Sequence, residues 1–170
     1  MNKYIIVGKA ASGKDWLQRR LVDKGYHPMK QYTTREIRES ETGDESYFIS
    51  DDVFREKNKN GDFISANFYA IGWYGVSLDE LNNSDVAILS PANMDDLSKK
   101  FPDVRKKFTV IYLDMPIEMR RERLSNRYKT KVGDDNERRI QADEKDFKSF
   151  INFDLHFNTI EEVSNFVNNL

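Results

Sequence analysis

Eight residues near the N-terminus have the types and spacing that would bind phosphate. Residues 8–15 read Gly-Lys-Ala-Ala-Ser-Gly-Lys-Asp and directly follow an apolar run, Tyr4–Val7. Glycines at both ends of such a loop let the backbone curl, so that successive amides point at phosphate oxygens. A lysine at position 14 can reach the β- and γ-phosphates of a nucleotide, and the helix that begins there adds its positive N-terminus. The pattern predicts a nucleotide-binding loop formed by Gly8, Ala10, Ala11, Ser12, Gly13, Lys14 and Asp15.

One position of this loop departs from the usual pattern. The residue after the lysine is normally Ser or Thr, whose hydroxyl binds magnesium, and here it is Asp15. A carboxylate in the first helical turn can ligate Mg²⁺ directly or through water. It can equally well complement the helix dipole without any metal. Both interpretations of Asp15 stay open.

A second group of residues could hold another phosphate. Arg35 and Arg38 lie three residues apart and are followed by a turn and Tyr47. Two guanidinium forks and a phenol hydroxyl are suitable ligands for a phosphate separate from the one at the loop. Two arginines alone would more often mark a solvated charged surface, but next to a phosphate loop they favour an acceptor site.

Composition restricts the classes of partner. The chain has 170 residues, 38% hydrophobic and 33% charged, which is typical of one globular domain. Its 27 basic and 29 acidic residues give a net charge of −2, so bulk charge favours neither nucleic acid nor a membrane. The sequence contains no cysteine and no apolar run of membrane-spanning length. We therefore expect a cytoplasmic protein with small-molecule ligands, and the oligomeric state is not indicated.

The elements that must position these residues alternate between strands and helices. Tyr4–Val7, 86–89 and 108–113 are apolar runs typical of buried parallel strands, and a further strand is predicted at 154–157. Helices are predicted at 14–24, 94–100, 116–127, 137–150 and from Glu161. Residues 128–139 are charged and show no apolar periodicity. Short strands at 47–49, 63–64 and 73–76, with a helix after Ser50, predict a small β-rich insertion. The whole predicts a doubly wound α/β fold.

The order of these motifs resembles guanylate kinases. Residues 33–48 fit the family's nucleotide-monophosphate motif, which reads TTRxxRxxE, a Gly and YxF. Trp73-Tyr74-Gly75 is similar to its YYG element, and residues 123–127 match its RLxxR. Asn158 stands where the closing strand approaches the adenine of ATP. The resemblance spans essentially the whole chain.

The resemblance implies a P-loop NTPase fold of the nucleoside monophosphate kinase type. It implies a single domain, 1–170, with a core at about 1–30 and 84–170, an NMP-binding region at about 31–83 and a lid at about 127–139. The implied activity is phosphoryl transfer from ATP to GMP or dGMP, with Mg²⁺ as cofactor and nucleotides as the partners. The implied catalytic residues are Lys14, Arg35, Arg123 and Arg127. The lid would contribute Arg123, Arg127 and one of Arg138 and Arg139. Implied acceptor contacts are Thr34, Arg35, Arg38, Tyr47, Ser65, Tyr74 and Ser90.

Several positions depart from the family pattern. The glutamate that accepts hydrogen bonds from guanine is replaced by Ser65, and a base-reading hydroxyl is replaced by Val76. A hydroxyl before the TTR motif is replaced by Gln31, or by Tyr32 if the register slips. Two carboxylates after the third core strand correspond to Ser90 and Ala92. Alternatives are therefore a kinase for a different or modified monophosphate, and a catalytically inactive binding module.

Overall fold

A computed structural model describes residues 2–39, 41–69, 71–127 and 134–170 of the chain. Strands and helices are interspersed along the chain, and the strands form two separate sheets. The strands are β1 (Lys3–Gly8), β2 (Gln31–Thr33), β3 (Ser46–Phe48), β4 (Ser65–Tyr69), β5 (Gly72–Val76), β6 (Val86–Ile88), β7 (Phe108–Leu113) and β8 (Leu155–Phe157). The helices are α1 (Lys14–Asp23), α2 (Asp51–Lys59), α3 (Leu78–Asn83), α4 (Pro91–Lys100), α5 (Pro102–Arg105), α6 (Ile117–Arg127), α7 (Asp134–Phe147) and α8 (Ile160–Asn168).

The core sheet is parallel and has the strand order β6-β1-β7-β8. Successive side chains of the central strand β1 point to opposite faces of the sheet, and both faces are buried. Ile5 and Val7 pack in one hydrophobic cluster with Leu97 of α4. Tyr4 and Ile6 pack in the other, with helices α1 and α8. The predicted parallel α/β core is confirmed, and the loop after β1 leaves the sheet at its carboxyl edge.

The second sheet has the order β3-β2-β5-β4 and comes from the predicted insertion. Strand β2 runs parallel to β3 and antiparallel to β5. Phe63 precedes β4 rather than forming a strand with Ile64, so the prediction of a strand at 63–64 is wrong. The Phe63 ring instead packs against Gly75, where an added Cβ would lie 2.8 Å from the ring. The apolar residue Phe63 therefore packs through its ring and does not mark a strand. The strand is formed by the more polar segment that follows, Ser65–Tyr69.

Polar side chains cap the starts of three helices, and two of them, α4 and α8, begin earlier than the sequence suggests. Ser50 caps α2 by accepting a hydrogen bond from the Val53 amide, as a helix-start signal predicts. Ser90 likewise caps α4 and accepts from the Asn93 amide, so this helix starts at Pro91 and not at the predicted 94. Helix α8 begins with a capping box formed by Thr159 and Glu162.

Helix α7 corrects the prediction for the charged stretch at 128–139. It starts at Asp134 and ends at Phe147, not at 137 and 150. Its first turns pair with α6 through charge, and Arg121 binds Glu137 at 2.9 Å, so an apolar pattern is not required there. The rest of the predicted lid, residues 128–133, lies outside the described residues. Helices α3 and α5 were not predicted, and within the described ranges no helix is long and apolar enough to cross a membrane.

Candidate functional site

The loop between β1 and α1 has the backbone conformation that an anion site needs. Ala11 and Gly13 have positive φ angles of 59° and 99°. Left-handed residues in such a loop turn successive amides toward one side. Gly8 is required by close packing, because a Cβ there would lie 2.6 Å from Ser12 Oγ and 2.9 Å from the Leu113 carbonyl oxygen. A side chain at position 8 would therefore displace either Ser12 or the end of β7.

Helix α1 presents its N-terminus to the same loop. Its N-cap residue, Gly13, makes no side-chain cap hydrogen bond, so the first amides are left to a ligand. The Lys14 Nζ donates to the carbonyl oxygens of Gly8 at 2.7 Å and Lys9 at 3.0 Å. These contacts hold the ammonium group across the loop, at the place where phosphate oxygens would sit.

The two arginines predicted for the acceptor site are organised by a carboxylate. Arg35 forms a two-pronged pair with Glu41, at 2.7 Å from Nη1 and 2.5 Å from Nη2. Glu41 also accepts from the Arg38 amide at 2.9 Å. Partial burial would raise the pKa of Glu41, but the hydrogen bonds from Arg35 and Arg38 outweigh burial and lower it. The pair thus stays charged and holds the Arg35 guanidinium in place, and Arg38 Nη1 lies 3.6 Å from Glu41 Oε1.

Strand β5 supplies the tyrosine predicted for the same site. Tyr74 lies opposite Thr33 of β2, and its hydroxyl interacts with the Arg35 guanidinium. The preceding Gly72 permits this approach, because a Cβ there would lie 2.8 Å from the Arg35 amide nitrogen. The two strands thereby bring Arg35 and Tyr74 together although 39 positions of sequence numbering separate them.

One cavity of about 830 Å³ joins the loop to the acceptor arginines. Such a volume suits a nucleotide-sized ligand or larger. Its walls come from the core sheet edge, α1, β2, β5 and α6. Of the predicted site residues, it is lined by Gly8, Ala10, Ala11, Ser12, Gly13, Lys14, Asp15, Arg35, Arg38, Tyr74, Ser90, Arg123 and Arg139.

Four other predicted site residues make contacts elsewhere and are not part of this lining. Thr34 Oγ1 accepts from the Trp73 amide, and the Tyr47 hydroxyl donates to Glu80 at 2.8 Å. Ser65 is buried and bonds to α4 side chains. Asn158 is exposed, and its amide donates to Glu162. Their nucleotide contacts stay predictions.

Some of the arginines predicted for the lid lie at the cavity and others do not. Arg123 Nη1 donates to the Ala11 carbonyl at 3.0 Å and so lies directly over the phosphate loop. Arg139 lines the cavity, whereas Arg138 is exposed. Geometry therefore favours Arg139 of this pair. The side chain of Arg127, the last residue of α6, lies outside the described part of the structure.

Sequence reasoning missed three residues that organise the site. Glu41 was present as the final position of the TTRxxRxxE pattern, which was the available signal. Arg120 of α6 is fully buried and pairs with Asp143 of α7 at 3.1 Å. Asp143 also accepts from the Ala10 amide at 2.8 Å. No local pattern marks this arrangement, since its members come from three separate segments.

Metal binding would depend on the nucleotide. The described ranges contain no group of three or more His, Cys, Asp or Glu side chains that could hold an ion. Asp15 is exposed and lines the cavity at the start of α1. Mg²⁺ commonly takes one or two protein carboxylates and completes its ligands with phosphates and water. The single carboxylate therefore fits such an ion.

Comparisons with known proteins agree with this arrangement. The family profile described as guanylate kinase matches residues 1–168. A crystal structure of guanylate kinase from Anaplasma phagocytophilum is similar with a TM-score of 0.63 and 17% identity, over 99% of this chain and 83% of that chain. A gluconokinase from Sinorhizobium meliloti 1021 gives a TM-score of 0.47 and 13% identity, over 98% of this chain and 87% of that chain. A search of curated protein sequences finds no significant match. The match over residues 1–168, on a fold with a phosphate loop, shows that the chain belongs to the guanylate kinase family.

Proposed function

We propose that the protein is an ATP-dependent nucleoside monophosphate kinase that transfers the γ-phosphoryl group to GMP or dGMP. The supporting observation is the shared cavity, which the phosphate loop lines together with Arg35, Arg38 and Tyr74. A donor site and an acceptor site at one cavity allow in-line transfer with little covalent work by the protein.

The donor end holds ATP through backbone amides and one lysine. The amides of the loop and of the α1 N-terminus bind the β- and γ-phosphates. Lys14 exchanges its carbonyl contacts with Gly8 and Lys9 for phosphate oxygens. Arg123 stabilises negative charge on the transferred group from above the loop. When bound, Mg²⁺ neutralises phosphate charge, and Asp15 is the residue that would hold it.

The acceptor end holds the monophosphate through its phosphate group. Arg35 and Arg38 supply charge-assisted hydrogen bonds, and Tyr74 adds a hydroxyl. Glu41 keeps the guanidinium of Arg35 oriented. The proposal includes the boundaries predicted from the sequence, which are an acceptor region at 31–83 and a lid at 127–139. It also includes the predicted cytoplasmic location.

A monophosphate with another base is the second candidate. Ser65 is 2% exposed and Val76 is 1% exposed. Neither position provides the carboxylate and hydroxyl with which the family pattern reads guanine. An inactive binding module is disfavoured because the glycines and the lysine of the loop are all present.

Lys14→Ala tests the kinase proposal. We expect turnover to fall about 10²–10³-fold, because the variant lacks a positive charge at the transferred phosphoryl group. The measurement is ADP and nucleoside diphosphate formation with ATP, magnesium and a panel of ribo- and deoxymonophosphates. Lys107→Ala, at an exposed lysine, is the matched control. Undiminished transfer by Lys14→Ala would refute the role of the loop, and a faster non-guanine substrate would refute the GMP assignment.

A further inference from the structure

Four polar side chains join the acceptor sheet to α4. Ser65 and Asn67 come from β4, and Asn93 and Asp96 come from α4. Ser65 Oγ lies 2.9 Å from Asn93 Oδ1 and 2.7 Å from Asp96 Oδ2. Asn67 Nδ2 lies 2.8 Å from Asn93 Oδ1 and 3.0 Å from Asp96 Oδ2. Of these residues, Ser65 stands where the guanylate kinase pattern has its glutamate.

The network determines which way the Asn93 amide points. Partial burial works to raise the pKa of Asp96, but hydrogen bonds from Ser65, Lys100 and Asn67 lower it, so the group is a carboxylate that only accepts. The Asn67 atom that faces Asp96 must therefore be the amide nitrogen. That nitrogen also faces Asn93, so the Asn93 atom there must be the oxygen. The Asn93 Nδ2 is consequently turned away from the cluster.

This amide nitrogen is a buried donor with nothing to donate to. Asn93 is 1% exposed, and its Nδ2 has no hydrogen-bond partner among the described residues. Leaving such a donor unpaired costs stability, so native structures normally satisfy it with protein, water or ligand. Asn93 also lines the cavity, where its neighbours Ile88, Leu89 and Pro91 form an apolar wall. An apolar wall beside an unpaired donor suits the face and edge of a planar base.

We propose that Asn93 reads the acceptor base by donating its Nδ2 hydrogen to the 6-carbonyl oxygen of a purine, so that the site selects oxopurines over aminopurines. This inference rests on the proposed function. An amino group at the same position would set a donor against a donor, which adenine cannot avoid. Because no carboxylate stands at position 65, the 2-amino group of guanine contributes little to recognition. The substrate class is thus a 6-oxopurine nucleoside monophosphate, with or without the 2-amino group.

Purine analogues test this assignment on the wild-type protein. We expect kcat/KM for inosine monophosphate within about threefold of that for GMP. We expect a loss of about 10–100-fold for 2-aminopurine riboside monophosphate, which keeps the 2-amino group and lacks the carbonyl. A reversed order of these two substrates would overturn the proposal.

Two substitutions at Asn93 make the test specific to this residue. Asn93→Ala should lower kcat/KM for GMP about 10–100-fold and leave the 2-aminopurine nucleotide nearly unchanged. Asn93→Asp replaces the donor by an acceptor of the same shape, so the GMP to AMP ratio should fall at least tenfold. A ratio within one variant is insensitive to partial loss of folded protein. Asn58→Asp, at an exposed asparagine of α2, is the matched control.

Calorimetric binding of the same nucleotides separates the two proposals. Absent turnover with carbonyl-dependent binding that Asn93→Ala weakens would overturn the kinase function and support Asn93. Turnover on GMP that Asn93→Ala and Asn93→Asp leave unchanged would support the kinase and overturn Asn93. Absence of both binding and turnover would overturn both.

Discussion

At the residue scale, a single carboxylate prepares the acceptor site. The Arg35 side chain is 7% exposed and the Glu41 side chain is 13% exposed, so the pair is largely shielded from water. A guanidinium so shielded needs a counter-charge. Glu41 supplies this charge through its two bonds to the guanidinium, and the Phe48 ring lies 5.0 Å from the guanidinium carbon. Arg35 is thereby held in position before any phosphate arrives.

Glu41→Gln should weaken binding of the acceptor and spare that of the donor. The amide cannot accept two charge-assisted bonds, so Arg35 loses its fixed orientation. We expect KM for the monophosphate to rise about tenfold, with KM for ATP unchanged. Initial rates measured with each substrate varied in turn give both constants. Glu56→Gln on α2 is the control, and equal changes in both KM values would contradict a positioning role.

Carboxylates with lowered pKa values also make stability depend on pH. Burial opposes ionisation of Glu41, Asp96 and Asp114, but hydrogen bonds from cations and amides lower each pKa below its ordinary value. A group with a lower pKa in the folded state stabilises the protein above its unfolded pKa, and this contribution disappears as pH falls through the folded pKa. The free energy of unfolding in urea should be flat near pH 7 and fall below about pH 4.5. Glu41→Gln should reduce the slope, and a slope of the opposite sign would contradict this account.

At the element scale, sequence patterns located the strands that are apolar on both faces and missed strand β4, which contains both polar and apolar residues. Strand β1 is apolar on both faces and could be predicted from its run alone. Strand β4 could not, because Ser65 and Asn67 favour turns in isolation. Their strand conformation comes from pairing with β5 and from bonds to α4. The start of helix α7 was predicted three residues too late for a related reason, since an ion pair between Arg121 and Glu137 holds its first turn.

Gly72→Ala tests how closely the acceptor strands must pack. The new Cβ would lie 2.8 Å from the Arg35 amide and 3.1 Å from its Cα, so β2 must shift and carry Arg35 with it. We expect a loss of about 1–3 kcal/mol in unfolding free energy and a higher KM for the monophosphate. Gly61→Ala is the control, because nothing lies within 4 Å of its added Cβ and its cost is confined to a φ of 81°. Equal kinetic effects of the two variants would refute the explanation.

At the scale of the whole molecule, a buried ion pair connects the lid helices to the phosphate loop. Arg120 and Asp143 have side chains only 1% and 2% exposed, and Asp143 reaches the Ala10 amide. This contact joins α6, α7 and the loop after β1 in one network. The loop itself is contiguous in sequence and could be predicted from its pattern. Glu41, Asn93 and Asp143 could not be assigned roles by spacing alone, because the fold brings their partners from distant segments.

Arg120→Met should destabilise the protein strongly. Removing one member of a buried ion pair leaves the other charge uncompensated, which typically costs about 3–5 kcal/mol. Urea unfolding at pH 7 measures the loss. The double variant Arg120→Met/Asp143→Leu removes both charges and should recover part of it, while ATP affinity falls because the Ala10 amide has lost its acceptor. A double variant no more stable than the single one would contradict the buried-charge explanation.

The strands of the two sheets come from separate segments of the chain, and this has a consequence for how the family could diversify. All strands of the acceptor sheet come from one continuous segment, 31–76, whereas the core sheet comes from the segments on either side. Recombination of that segment would exchange the surface that receives the acceptor without altering the loop that holds the donor. The bonds from Ser65 and Asn67 to Asn93 and Asp96 cross this junction. A transplanted segment would therefore need compatible residues at 93 and 96, and at Glu80, which accepts from the Tyr47 hydroxyl.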